Sequence, residues 1–297
     1  MFNFIYRRKL IGEAERVYRE ARVFYGDDVM DRSVNGEYFT LITGASSGIG
    51  RALAFECARR HMNLFLVSLP ETGLEEVAAE ITAQYPVTTR TLTTDLTCPE
   101  SYLQVYDQAR ARGIRVNNLI NNAGIGYNGY LKEMDPQKVD QMILLNLRAT
   151  TLITSVFLKE LTAYPRSHIL NICSMAAFLP VPGKSVYSAS KAYTLFFSKS
   201  LRAELRHTGV SVTAVCPWGV RTSEAVRERI QNSGVVSRTM AMDPEEVARV
   251  SVEAMLRRKS VVIPGRKGRL FFYLGQIVPQ GIVLRVMENE LRKALHE

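Results

Sequence analysis

The sequence predicts an α/β fold built on a doubly wound parallel sheet. Three observations carry that expectation. Short β-rich runs alternate with helical runs of ten or more residues between Tyr38 and Val215. The first run ends in Gly44-Ala45-Ser46-Ser47-Gly48-Ile49-Gly50, a glycine-rich turn that opens directly into a helical pattern. At 297 residues and 46% hydrophobic composition, the chain can bury a full core in one domain. Right-handed crossovers then place helices on both faces of the sheet, the Rossmann-type arrangement.

Residues Arg8 to Phe24 set Leu10, Ile11, Ala14, Val17, Ala21 and Phe24 near helical spacing, so residues 1–36 read as an amphipathic helix and a linker closed by Asn35-Gly36. The main domain, 37–265, begins with the strand Tyr38 to Thr43. After the glycine turn comes the helix Arg51 to Arg60. Glycines let the backbone approach an anion while first-turn N–H groups and the helix dipole face it, so a dinucleotide phosphate site is expected there; a plain strand-to-helix turn is the alternative. Strands Asn63 to Val67, Thr88 to Thr93, Asn117 to Asn121, Ser167 to Cys173 and Val210 to Val215 alternate with helices Glu71 to Gln84, Pro99 to Arg112, Pro136 to Leu161 and Ser185 to His207. In such sheets ligands lie beyond the carboxyl ends of the strands, where Asp95, Asn121 to Gly124, Ser174 and Pro217 to Thr222 all fall. A polar segment to about Thr239, a helix Pro244 to Arg257 and a short strand Val261 to Ile263 follow, and segments in that position commonly close over a substrate. Residues 266–297 resume helical spacing, with Leu270, Phe271, Leu274, Ile277 and Val278 followed by Ile282, Val283, Val286 and Leu291.

No uninterrupted apolar run approaches the roughly 20 residues that cross a bilayer, and the N-terminal charges follow the apolar residues, the wrong order for a secretory signal. A cytoplasmic protein is expected. Cys57, Cys98, Cys173 and Cys216 are widely separated, with no Cys-x-x-Cys pair and no nearby His, so reduced core thiols are expected and no metal site. The net charge of +9 is concentrated at the end, where Arg257 to Glu297 holds nine Lys/Arg against three Asp/Glu. Basic flanks on an apolar stripe suit peripheral contact of the tail with a membrane; a subunit interface, a cover over the core or a solvated tail explains the same pattern. No nucleic-acid partner is expected.

Tyr187 and Lys191 are four residues apart, about one helical turn, so phenol and ammonium share one face of the helix. A nearby cation favours the phenolate, and a tyrosine so placed can exchange a proton with an alcohol or ketone. Alone, the pair is equally consistent with two surface residues. Its context resembles the short-chain dehydrogenase/reductase family: Thr43 to Gly50 is similar to the family's glycine motif, Asn121-Asn122-Ala123-Gly124 to its strand-four motif, and Ser174 with Tyr187-x-x-x-Lys191 to its active site, with Asn146 at the fourth catalytic position. The resemblance covers about Phe39 to Gly265.

The resemblance implies an NAD(P)-dependent enzyme that interconverts a ketone and a secondary alcohol. In it Tyr187 is the general acid of reduction, Lys191 lowers its pKa and binds the nicotinamide ribose, Ser174 holds the substrate oxygen, and Asn146 holds a water that connects Lys191 to solvent. Around the cofactor it implies Gly44, Ser46, Ser47, Gly48, Ile49 and Gly50 at the phosphates, Asp95 and Leu96 at the adenine, Asn122, Ala123 and Gly124 along the ribose, and Pro217, Val220 and Thr222 at the nicotinamide side. Asp95 has the alternative of an ordinary turn role, and Asn121 is expected to brace the sheet. The long helices in the middle of the chain resemble those with which the family forms homodimers and homotetramers.

The chain departs from the family pattern at two places. Trp218 stands where a glycine is usual, either walling the substrate pocket or packing as a large apolar group. At the end of strand two, Ser68 and Leu69 carry neither the acid that selects NAD nor the base that accommodates NADP; Ser68 does not repel a phosphate and Arg51 and Arg90 are expected close enough in space to help, so NADP is preferred. A hydrophobic lipid-, acyl- or steroid-like ketone is the expected substrate, against a small polar alcohol or sugar. A non-catalytic dinucleotide-binding or scaffold protein on the same fold is the alternative from another class.

Overall fold

In a computed structural model of the protein, strands β1 (Tyr38–Thr43), β2 (Asn63–Ser68), β3 (Thr89–Thr93), β4 (Arg115–Asn121), β5 (Ser167–Ile172), β6 (Val210–Val215) and β7 (Val261–Val262) form one sheet in the order β3-β2-β1-β4-β5-β6-β7. Every pairing is parallel. The structure describes residues 38–275 together with 281, 284, 285, 288 and 289. The chain divides into two units, Met1–Gly36 and Glu37–Glu297. The predicted N-terminal helix and the rest of the tail lie outside the described residues.

The strands read as continuous apolar runs because both faces are covered, and all six residues of β2, β5 and β6 are buried. Side chains alternate between the faces: Phe65 and Val67 enter one core with Val105, Ile153, Phe157 and Leu201, while Leu64 and Leu66 enter the other with Leu53, Val77, Ile81 and Val252. The first core lies under α3 (Ser101–Ala111), α4 (Pro136–Ala163) and α5 (Ser185–Glu204). The second lies under α1 (Gly48–Arg59), α2 (Leu74–Gln84) and α8 (Pro244–Leu256). The predicted doubly wound sheet is therefore present, with the order reversing between β1 and β4.

Several elements differ from the sequence reading. Two short helices, α6 (Glu224–Asn232) and α7 (Val235–Met240), occupy the segment read only as polar. For α6 the signal was a cap rather than a period: the Ser223 side chain accepts from Val226 N at 3.3 Å. Helix α4 is 28 residues long and apolar enough in length and composition to cross a membrane, although no single apolar run shows it. Its Met142, Ile153, Phe157 and Leu161 are buried within the fold. Three of the four cysteines are buried thiols as expected, but Cys98 is exposed because it sits in the loop before α3. The helix α9 (Arg266–Gly275) packs Phe272 against Phe178, with ring centroids 4.6 Å apart, and brings Gly268 against Trp218, where a Cβ would come within 2.5 Å of the indole.

Candidate active site

The glycine turn leaves β1 at Gly44, whose φ of +65° is in the left-handed region, and enters α1 at Gly48. A Cβ at Gly50 would overlap the Gly44 carbonyl oxygen, so the turn closes only on glycine. Thr43 and Asn122 hold it in place. Thr43 Oγ1 accepts from the Asn122 and Ala123 amides at 3.1 Å each, and Asn122 Nδ2 donates to the Thr43 and Gly44 carbonyls at 3.0 Å. The Asn122 side chain is thus a brace beneath the turn; what it leaves facing the cleft is backbone. Thr222 packs on Gly48 from the opposite side, its Cβ 3.0 Å from where a Cβ of Gly48 would lie. Despite the tryptophan, Arg221 N and Met242 N form backbone bonds to Met242 and Gly219 that keep Val220 and Thr222 over the turn.

Tyr187, Lys191, Asn146 and Gly124 come together near the carboxyl ends of β4 and β5. Lys191 is buried, and its Nζ donates to the Ile172 carbonyl at 2.9 Å and stands 5.9 Å from the centroid of the Tyr187 ring. Asn146 lies in a six-residue π-helical stretch of α4, Leu144–Ala149. That wide turn is a common device for presenting a functional side chain. Its amide exchanges two hydrogen bonds with Ile125, Oδ1 accepting from N and Nδ2 donating to O, both at 2.9 Å. Nδ2 also reaches Ser190 Oγ at 3.0 Å, and Ser190 in turn donates to the Tyr187 carbonyl at 2.7 Å. A Cβ at Gly124 would lie 3.1 Å from Asn146 Oδ1 and 3.4 Å from Lys191 Nζ. Gly124 therefore leaves an open cradle bounded by an amide oxygen and an ammonium, a donor and acceptor set that fits the hydroxyls of a ribose. Ser174 caps the short turn Met175–Ala177, its Oγ accepting from Ala176 N at 3.2 Å, and Met175 N binds the Pro217 carbonyl at 2.9 Å. The neighbouring thiol of Cys216 is pushed up by its hydrogen bond with Cys173 and by burial, which keeps it protonated behind the site.

Other predicted residues are placed differently. Leu96 is buried in the core with Leu92 and Val105, so only its backbone is available to a ligand. Asp95 Oδ1 accepts from both the amide and the hydroxyl of Thr97, at 2.8 and 2.7 Å, which is the turn role. Asn121 braces the sheet as expected, donating to Thr154 Oγ1 at 2.9 Å and Asn171 Oδ1 at 2.8 Å. Trp218 packs with Phe178 and Phe272 in an apolar cluster that includes Met175 and Ile263. At the end of β2, Ser68 is bonded to Ser46, with 2.7 Å between the hydroxyls, and accepts from Thr72 Oγ1 at 3.3 Å. Arg51 is ion-paired with Glu80 and stacked 4.6 Å over Phe55. Arg90 pairs with Phe65, set back three residues, roughly 10 Å, from Ser68 along the strand.

The sequence reading missed Asn171, Ser190 and Thr72, and placed Thr43 in the glycine motif without its bracing role. Thr43 had a signal in its position at the strand end, one residue before the turn; the others are polar residues whose partners are distant in sequence. An apolar cavity of about 470 Å³ lies beside the Ser174 turn, between Leu179 to Pro182 and Ala189 and Ala192 of α5. None of Ser174, Tyr187 and Lys191 lines it.

The sequence pattern of the short chain dehydrogenase family matches residues 39–233. The chain belongs to that family. It is 37% identical over 190 residues to a very-long-chain 3-oxoacyl-CoA reductase from Anas platyrhynchos, a match covering 62% of this chain and 60% of the relative. The chain thus spans about 60% of the length of the curated relatives it matches. Among solved structures, a short-chain dehydrogenase from Sphingobium yanoikuyae in complex with NADPH superposes with a TM-score of 0.70 at 32% identity, covering 83% of this chain and 95% of that one. The bulky-bulky ketone specific alcohol dehydrogenase from Comamonas testosteroni superposes with a TM-score of 0.68 at 30% identity, covering 81% and 92%.

Proposed function

We propose that the protein is an NADPH-dependent reductase that converts a ketone on a hydrophobic, acyl-like substrate into a secondary alcohol. The observation that carries this reading is the grouping of Tyr187, the anchored Lys191 ammonium and the Asn146 amide around the Gly124 cradle. The glycine turn would hold the pyrophosphate, Gly124, Asn146 and Lys191 the nicotinamide ribose, and Val220 and Thr222 the nicotinamide end. When bound, the dinucleotide supplies the hydride that reaches the carbonyl carbon. Ser174 holds the carbonyl oxygen by a hydrogen bond. Tyr187 gives its hydroxyl proton to that oxygen as negative charge develops there, and the Lys191 ammonium stabilises the phenolate left behind. The proton lost by Tyr187 is replaced from solvent through a water held by Asn146 and Lys191.

Preference for NADPH is supported by the absence of a carboxylate at Ser68 and Leu69 and by the NADPH complex of the relative at 32% identity. A hydrophobic ketone is supported by the substrates named for the relatives and by the apolar cavity beside the Ser174 turn. The test is to follow NADPH and NADH oxidation with a medium-chain 3-oxoacyl thioester and with a small sugar ketone. The reading expects turnover of the thioester with NADPH, NADH used at least several-fold less well, and Ser68→Asp reversing the cofactor order. Turnover of the sugar alone, or NADH used better by the native protein, contradicts it.

Membrane contact through the tail is supported by Leu270 and Tyr273, each 62% exposed and three residues apart on α9, beside Arg266, Lys267 and Arg269. Sedimentation with anionic vesicles, lost in high salt, is the outcome expected; no sedimentation with anionic vesicles at low salt removes this part of the reading.

A further inference from the structure

The apolar cavity of about 470 Å³ beside the Ser174 turn falls in the size range of small-molecule sites. Leu179-Pro180-Val181-Pro182 forms one wall, Ala189 and Ala192 of α5 another, and Leu284 of the tail a third. The first wall is stiff, since its two prolines fix φ and Lys184 N binds the Val181 carbonyl at 3.0 Å. The second is made of small side chains, exposed at Ala189 and half-buried at Ala192, and their size is what leaves the room. Apolar walls in contact with water are unfavourable, and hydrocarbon is the ligand chemistry that relieves them.

The cavity borders both elements that carry the reacting hydroxyls: its Ala176 is two residues past Ser174, and its Ser188 directly follows Tyr187. On α5, Ser185, Ala189 and Ala192 share one face, whereas Tyr187 and Lys191 share another. Ser188 lies between the two faces. It is buried, and its hydroxyl has no hydrogen-bond partner among the described residues, so hydrocarbon passing there breaks no bond. We infer that the cavity receives the far end of the substrate's hydrocarbon chain, and that Ala189 and Ala192 set the length it accepts. The inference rests on the proposed reduction at Tyr187 and narrows its substrate class to long-chain ketones. A helix with its side chains is about 10 Å across, so a short hydrocarbon ends before the cavity and a long one continues round α5 into it.

The test compares kcat/KM of the full protein for 3-oxooctanoyl and 3-oxohexadecanoyl thioesters with NADPH. A second arm titrates octanol and dodecanol calorimetrically into the NADPH-loaded protein, where neither alcohol can be reduced. The wild type is expected to favour the longer compound by about tenfold or more in both arms. Ala192→Phe, which fills the cavity, should bring both ratios to within about threefold of one. Ala189→Leu should lower them by a smaller factor and keeps the test open if Ala192→Phe fails to fold. Phe196→Ser, one turn further along α5, 66% exposed and outside the cavity, should leave both ratios as they are. Equal kcat/KM for the two thioesters in the wild type, or ratios undiminished in Ala192→Phe and Ala189→Leu, overturns the inference. So does a wild-type dimer that Ala192→Phe dissociates while the preference for length persists, since this face is then a contact between two copies. If dodecanol binds in an Ala192-dependent way while neither thioester is reduced, the proposed reaction fails and the hydrocarbon site stands.

Discussion

Lys191 gives one of its three donors to the Ile172 carbonyl, so its ammonium is fixed in place before any ligand arrives. Asn146 is fixed likewise by Ile125 and Ser190. The site is therefore organised by residues that do not take part in proton transfer, and these were the ones hidden in the sequence. Tyr187-x-x-x-Lys191 becomes legible once the glycine, Asn121 to Gly124 and Ser174 motifs stand beside it in the sequence, whereas Ser190, Asn171 and the Ile172 carbonyl matter only through partners that folding brings near. His168 shows the same limit. It is buried beside Ser211, its Nδ1 2.7 Å from Oγ, and burial, with smaller contributions from Arg166 and Arg258, lowers its pKa to about 3. Between pH 6.5 and 3 the unfolded chain takes up a proton that the folded chain refuses, so stability is full above 6.5 and falls as the pH drops through that window. The slope should approach about 1.4 kcal/mol per pH unit. Urea unfolding at pH 6.5 and 5 should show His168→Gln losing less stability than wild type by roughly that slope; parallel losses would refute the account of His168.

At the scale of elements, the strand–turn–helix unit was readable because each part has its own local signal: the β-rich run, the glycines and the helical period. The structure adds the reason for one of those glycines. Since a Cβ at Gly50 would strike the Gly44 carbonyl, Gly50→Ala must open the turn and displace the first N–H groups of α1. NADPH affinity, read by fluorescence titration, should fall by about tenfold or more, while the sheet and its circular dichroism persist; unchanged affinity would mean that the dinucleotide does not lie on this turn. Helices α6 and α7 were not readable, because helices of nine and six residues give little apolar period, and only α6 has a side-chain cap, Ser223. The π-helical turn at Asn146 was equally invisible, since nothing in Leu144 to Ala149 departs from an ordinary helical pattern.

For the molecule as a whole, length, alternation and strand composition were enough for the doubly wound sheet, because those features depend on burial, which sequence records directly. The relation of the tail to the sheet does not. Phe272 packs at a tilt against Phe178 and Gly268 abuts Trp218, and that cluster reaches Met175, next to Ser174. A chain ending at Gly265 should therefore lose a half-buried aromatic contact worth about 1 to 2 kcal/mol, melt a few degrees lower and lose activity as the Ser174 turn loosens. A shortened chain that melts like the full one and keeps its activity would show that α9 does not support the site.

The account's central claim is that Tyr187 transfers the proton while Lys191, Asn146 and the glycine turn hold the cofactor independently of it. Tyr187→Phe removes only the hydroxyl. Its NADPH dissociation constant and its turnover of a 3-oxoacyl thioester should be measured on the same preparation. The account predicts affinity within about a factor of two of wild type and turnover lower by roughly 10²- to 10⁴-fold. Turnover close to wild type in that variant would contradict it.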